Sequence, residues 1–272
     1  MTAHAATSRL IAVVVTAVVL AGCGGAPAAE PAPRTPTPLP TAPVPRAVAE
    51  RCLIDVPGEV VDLPSATAPD RLGAVAYGTG STALVLLHQI GRGGLCGWVT
   101  YARWAADQGV LAVAVDDCTH GPSRCAGPAA GDTRAMVALA VDWSRARGAT
   151  RVAVIGASMG GARALGVGQA AGADVVIDLS GPVHWDGVPD AVDAGRATTV
   201  PLLLVTSAAD RTIPADELAA AVAASPAQHK RFVKLPGRAH GWDITMDGIA
   251  ADAAVTPTGR LVLDWARTGG GR

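Results

Sequence analysis

From Thr82 onward the chain alternates between two kinds of apolar segment. The first kind is a short unbroken run: Thr82–His88 (TALVLLH), Val110–Asp116, Arg151–Gly156, Asp174–Ser180 and Pro201–Ser207. Strands that lack polar alternation are those covered on both faces, as in a parallel sheet held between helix layers. The second kind has helical spacing and spans about 97–108, 131–147, 159–171 and 214–224. Lys230–Pro236 predicts a last strand and Thr256–Arg267 a last helix, while segments near 59–63 and 71–77 predict an antiparallel edge. The β-α alternation predicts an α/β fold with a mostly parallel central sheet and helices on both faces. In such sheets the reactive loops gather at the carboxyl ends of the strands.

The first fifty residues follow a different pattern. Arg9 precedes an apolar run, Leu10–Leu20, of the length of a signal-peptide core and short for a bilayer span. It leads into LAGC, Leu20–Cys23, which resembles the bacterial lipobox, in which the cysteine is acylated and becomes the mature N-terminus. The expectation is a signal peptide over 1–22, a lipidated Cys23 that anchors the protein to a membrane outside the cytoplasm, and a linker over 23–50. The linker is rich in proline and alanine and favours extended polyproline II. A single domain over 51–272, about 220 residues, follows and is large enough for a substantial core.

Composition narrows the function. The formal net charge is −1 and no basic run is present, which argues against nucleic-acid binding. Half the residues are hydrophobic but only 3% are aromatic, so the core is built from small aliphatic side chains. Besides Cys23, four cysteines remain, and an even number in an exported chain suggests two disulfides. Three pairings are possible, and buried free thiols are the alternative. Cys118 and Cys125 bracket one loop, which favours that bridge and leaves Cys52 with Cys96. No paired Cys or His spacing suggests a metal, no glycine-rich phosphate loop is present, and no cofactor is implied.

The chemistry concentrates in RVAVIGASMGGARAL, Arg151–Leu165. Gly-x-Ser-x-Gly between a strand and a helix is a nucleophile elbow, a turn so tight that Ser158 is strained and its neighbours Gly156 and Gly160 have no room for side chains. A serine hydroxyl needs a base, and the base needs an orienting acid. Asp210 follows the strand Pro201–Ser207 and His240 follows the last strand, so both fall in strand-end loops in the order Ser, acid, His. Asp178 is the runner-up acid. Asp116 and Asp117 read as structural, and the tryptophans at 98, 104 and 143 as packing residues. The first oxyanion donor should be the N–H of Met159, next to the nucleophile.

These motifs resemble the α/β-hydrolase superfamily over about residues 71–267, in its small capless serine esterase/lipase and dienelactone-hydrolase-like branches. The resemblance implies a second oxyanion donor from HQIGRGG, His88–Gly94, where relatives read His-Gly-x and x donates. That residue is Ile90; Gln89 stands where glycine is usual, and its N–H is the alternative. Dienelactone hydrolases proper use a cysteine nucleophile, which Ser158 is not. Residues 181–200 are too few for the helical cap of larger relatives, so an open, shallow site is expected, with His184 and Trp185 as candidate lining. The expected activity is hydrolysis of small- to medium-acyl carboxylic esters by a monomer through a Ser-His-Asp triad and an acyl-enzyme. Acyl transfer or amide/peptide hydrolysis on the same triad, or a non-catalytic binding lipoprotein, are the rival readings.

Overall fold

The structure, a computed structural model, describes residues 46–91 and 93–271. The expected signal peptide, the Cys23 acylation site and the linker as far as residue 45 lie outside the described residues. In chain order the elements are α1 (Val48–Cys52), β1 (Val61–Pro64), β2 (Arg71–Tyr77), β3 (Thr82–Leu87), α2 (Val99–Asp107), β4 (Leu111–Val115), α3 (Thr133–Ala146) and β5 (Arg151–Ala157). They continue with α4 (Met159–Val167), β6 (Val175–Leu179), α5 (Ala191–Ala197), β7 (Leu202–Ser207), α6 (Ala215–Ala224), β8 (Lys230–Leu235) and α7 (Pro257–Thr268).

The eight strands form one sheet in the order β1-β2-β4-β3-β5-β6-β7-β8. β2 is antiparallel to both neighbours, β1 and β4, and the remaining pairs are parallel. This is the predicted mixed sheet with its antiparallel edge. The unbroken apolar runs are explained by the two cores on either side. Ala83, Val85 and Leu87 of β3 and Val152 and Val154 of β5 face the core shared with α3, α4, α5 and α6. Leu84 and Leu86, with Ala153 and Ile155, face the core shared with α1, α2 and α7. Each fully buried leucine of this kind contributes about 1.5–3 kcal/mol, so alternate residues stabilise opposite layers and no position of the strand can be polar.

Helix limits follow local chemistry. Asp132 caps α3 by accepting from the N–H groups of Arg134 and Ala135, and Thr256 caps α7 by accepting from Gly259. Two helices lie in segments read as connections. α1 begins at Val48, inside the stretch assigned to the linker, because tertiary contacts hold it: Val48 is fully buried, and Arg51 and Cys52 both have partners in the domain. α5 follows a run of Gly, Asp and Pro that reads as loop. It buries Ala191 and Ala194, and Gly195 lets its backbone approach α6, since a Cβ there would lie 2.2 Å from the Ala221 carbonyl oxygen. Residues 181–201 thus hold one short helix packed on the domain and no cap.

Both expected disulfides are present. Cys52–Cys96 joins α1 to the single-turn 3-10 segment Gly94–Trp98, and Cys118–Cys125 closes the loop after β4. Beside the first lies a buried ion pair, Arg51 to Asp116 at 2.6 Å. Asp116 also accepts the Leu95 N–H at 3.0 Å. Asp116 is therefore a structural residue, as its position suggests. Trp98 and Trp143 are buried, and Trp104 packs partly buried against the α2 side of the core.

Candidate active site

Ser158 sits between β5 and α4 with φ 49° and ψ −118°, one of three non-glycine residues with positive φ among the described residues. That conformation is strained for any residue with a Cβ. The glycines make it possible: a Cβ on Gly156 would lie 1.8 Å from the Gly160 carbonyl oxygen, and one on Gly160 would lie 2.3 Å from that of Leu87. Ser158 is only half-buried and serves as N-cap of α4. The first N–H groups of the helix, Met159 among them, have no partner within it and point toward the cap.

The acid and the imidazole meet. Asp210 Oδ2 lies 2.6 Å from His240 Nδ1, with the carboxylate side chain 4% exposed and the imidazole 29% exposed. Two connections stitch their loops together: the Ser207 hydroxyl donates to the Ala239 carbonyl, and the Ala209 N–H to that of Gly237. Thr212 donates both its N–H and its hydroxyl to Asp210 Oδ1, which leaves Oδ2 for the imidazole. Burial pushes the Asp210 carboxyl upward, but the bonds from His240 and Thr212 outweigh it and hold the group below the ordinary carboxylate range. An ionised Asp210 places the imidazole proton on Nδ1 and leaves Nε2 as the basic nitrogen.

His240 is carried to the elbow by its neighbour. A Cβ on Gly241 (φ 58°) would lie 2.1 Å from Gln89 Oε1 and 3.3 Å from the Ala157 Cβ, so this loop, the loop after β3 and the residue before Ser158 are in mutual contact. The structure thus joins Asp210 to His240. It makes no hydrogen bond between the His240 ring and the Ser158 hydroxyl; such bonds often tighten only when substrate is bound. Asp178, the alternative acid, is not at the imidazole. It is buried in β6, where its Oδ1 accepts the Gly181 N–H at 2.6 Å and Oδ2 has no donor, and burial pushes its carboxyl up to about 7.

In the loop after β3, Ile90 is 65% exposed and Gly91 has φ 132°. Buried His88 donates from Nδ1 to the Gln89 carbonyl (2.7 Å) and accepts the Asp117 N–H at Nε2 (3.2 Å), so it is neutral with the proton on Nδ1. Burial lowers its pKa, outweighing the Gln89 carbonyl and the Asp117 charge. Around Asp117 lies a cluster that the sequence pattern does not announce. The carboxylate accepts from Arg163 (3.0 Å), from the N–H and hydroxyl of Thr119, and from His120 Nδ1 (2.6 Å). Burial opposes its charge, yet Arg163, His120 and His88 hold its pKa well below the usual range. His88, Asp117 and His120 could each turn one atom toward a cation. Those atoms already have protein partners, and the Arg163 guanidinium beside Asp117 disfavours a metal ion there.

His184 and Trp185 have partners of their own. His184 pairs with Asp190 at 2.7 Å, and with Trp185 and Asp186 it lines a surface cavity of about 270 Å³. Among the described residues no hydrogen bond or ion pair joins either to Ser158, Asp210 or His240.

No family model matches the chain, and no curated protein matches its sequence. Solved structures do. An esterase from Pyrococcus furiosus, Pf2001, superposes with TM-score 0.57 at 15% identity, covering 84% of this chain and 96% of its own. The α/β-hydrolase fold is the one this chain has. A thermophilic esterase from Thermogutta terrifontis gives TM-score 0.56 at 16% identity over 78% of this chain and 100% of its own. A lidless α/β serine hydrolase from Xanthomonas campestris gives 0.50 at 17% identity over 66% and 84%. Ser158 stands at the elbow, Asp210 after β7 and His240 after β8, and no lid occurs among the described residues.

Proposed function

We propose that this α/β-hydrolase is a serine hydrolase of carboxylic esters with small to medium acyl groups. The observation that carries the reading is the 2.6 Å contact between Asp210 and His240 beside a strained serine elbow. In the proposed cycle Ser158 Oγ attacks the ester carbonyl while His240 Nε2 takes its proton. The oxyanion is met by the N–H of Met159 and that of Ile90, with the Gln89 N–H as the alternative second donor. Collapse of the tetrahedral adduct expels the alcohol, which leaves with the proton from His240. Water then attacks the acyl-Ser158 ester, losing a proton to His240, and the second collapse returns that proton to Ser158 and frees the acid. Asp210 keeps its charge throughout and steadies the imidazolium.

The Pyrococcus and Thermogutta proteins are esterases, which supports the ester class. No cofactor enters the cycle, and a monomer contains every residue named. The reading includes attachment to a membrane through acylated Cys23, with the domain outside the cytoplasm. The test is labelling by a fluorophosphonate probe together with hydrolysis of p-nitrophenyl esters of increasing chain length. Both should vanish in Ser158→Ala with the fold intact, and unchanged hydrolysis in that variant would refute the assignment. Cys23→Ala should move the protein from the membrane to the soluble fraction.

A further inference from the structure

Two histidines flank the candidate oxyanion donor. His88 Nδ1 donates to the carbonyl just before Ile90, that of Gln89, and His120 Nε2 donates to the carbonyl just after it, that of Gly91, at 2.9 Å. The rings lie 4.5 Å apart between centroids at an interplanar angle of 59°. Both reach back to Asp117: its N–H donates to His88 Nε2, and its Oδ1 accepts from His120 Nδ1 at 2.6 Å. Both nitrogens of His120 therefore lie within hydrogen-bond distance of oxygens, Nδ1 of Asp117 and Nε2 of Gly91.

The geometry of the peptide group gives this bracket a consequence. In a trans peptide the C=O and the following N–H point in opposite directions, and no cis peptide bond occurs among the described residues. Fastening the Gln89 carbonyl to His88 thus aims the Ile90 N–H the other way. Gly91 has φ 132° and nothing within 4 Å of where a Cβ would stand, so it is a conformationally free residue in open space. Within the loop the Gly91 carbonyl has only a long bond from the Gly94 N–H, 3.4 Å, so a bond from outside the loop is what restrains rotation at Gly91 and with it Ile90. That bond comes from His120, whose loop is closed by Cys118–Cys125. Its anchor, Asp117, is held by Arg163 of α4, the helix whose first turn supplies the other donor. One carboxylate ties together the two sides of the site.

We propose that His120 is a positioning residue that fixes the loop after β3 through the Gly91 carbonyl and so sets the direction of the Ile90 N–H for the oxyanion. The proposal rests on the hydrolase reading above. The experiment compares wild type with His120→Phe, which keeps a ring and removes both hydrogen bonds, and with His120→Gln, whose amide can still donate to Gly91. Removing an oxyanion donor outright in such sites lowers kcat by about 10²–10³-fold. Misdirecting one should lower it by about 10–100-fold in His120→Phe, with KM within about twofold and fluorophosphonate labelling slowed by the same factor. His120→Gln should recover most of the loss. Unchanged kcat in His120→Phe with only a lower Tm, or a raised KM at constant kcat, overturns the proposal. If His120→Phe fails to fold, wild-type kcat in a folded His120→Asn, whose shorter amide cannot span to Gly91, overturns it, and a similar loss supports it. If wild type neither labels nor hydrolyses esters, the hydrolase reading fails on its own. Hydrogen exchange over residues 89–93 then decides the positioning: faster exchange in His120→Phe supports it, and equal exchange overturns it.

Discussion

Asp178→Asn should make this protein more stable at neutral pH and remove part of its pH dependence. Asp178 is 1% exposed, pairs in register with Gly156 below the elbow, and has one oxygen with a single donor and one with none. Burial raises its pKa from 3.8 to about 7, the Gly181 N–H opposing. Because the folded value is raised, the stability this group contributes is fully present below pH 4 and is lost as pH rises through about 7. About three pH units at ~1.4 kcal/mol each make that loss ~4 kcal/mol. Asparagine keeps the acceptor for Gly181 but leaves a buried amide N–H₂ without a partner, which costs about 1–2 kcal/mol at every pH. The variant should therefore be about 1–2 kcal/mol less stable near pH 4 and about 2–3 kcal/mol more stable near pH 8.

The assay is urea unfolding of both proteins, disulfides intact, at steps across that range. Asp117 and Asp210 have the opposite sign, since their lowered values make stability fall as pH drops, but they are common to both proteins and cancel in the difference. A difference that stays flat between pH 4 and 8 would refute the reasoning. Esterase activity should survive within about threefold, because the imidazole binds Asp210 and not Asp178; collapse of turnover would instead make Asp178 the acid.

Asp210→Asn should fold and lower kcat by about 10³–10⁴-fold, since an amide at that place holds the imidazole in the wrong tautomer; ester hydrolysis at saturating substrate reads this. Replacing Cys52 and Cys96 by serine removes a crosslink of sequence separation 44 and should destabilise by about 4 kcal/mol, whereas the Cys118–Cys125 pair, separation 7, should be worth about 2–3 kcal/mol, both by denaturant midpoint. Arg51→Met leaves Asp116 buried with its Leu95 bond alone and should destabilise by about 3–5 kcal/mol, a loss that Asp116→Asn in the same chain should partly relieve.

The strands were legible because their signal is local. A run such as Leu84–Leu87 is covered on both faces, so its lack of polar positions is itself the evidence for helices above and below. The elbow was legible for a similar reason: Gly156 answers a backbone contact four residues away, so the Gly156–Gly160 approach is written in five consecutive letters, although the contact that Gly160 itself answers is with Leu87 of β3. Asp210 and His240 were placed by their positions after successive strands. That β7 and β8 are neighbours in the sheet is what brings those positions into contact. α1 was not legible, since five residues make no helical pattern and what holds it is Arg51 to Asp116, 65 positions away.

The loop after β3 shows where such reading stops. Between His88 and Leu95 the chain has three described glycines, at 91, 93 and 94, and such a stretch loses much conformational entropy on adopting one shape. It is held by partners from elsewhere: Asp117 on His88, His120 on Gly91, Asp116 on Leu95 and Cys52 on Cys96. Each lies between 21 and 44 residues from its contact. None has a periodicity that relates it to the loop, and three of the four arrive from the single turn after β4. The departure from His-Gly-x at Gln89 leaves the second donor undecided from sequence, because the direction of a peptide N–H in so free a loop is a property of what grips it. The β4 turn, read from its letters as a disulfide loop with two structural aspartates, is on this argument the support on which the oxyanion geometry depends.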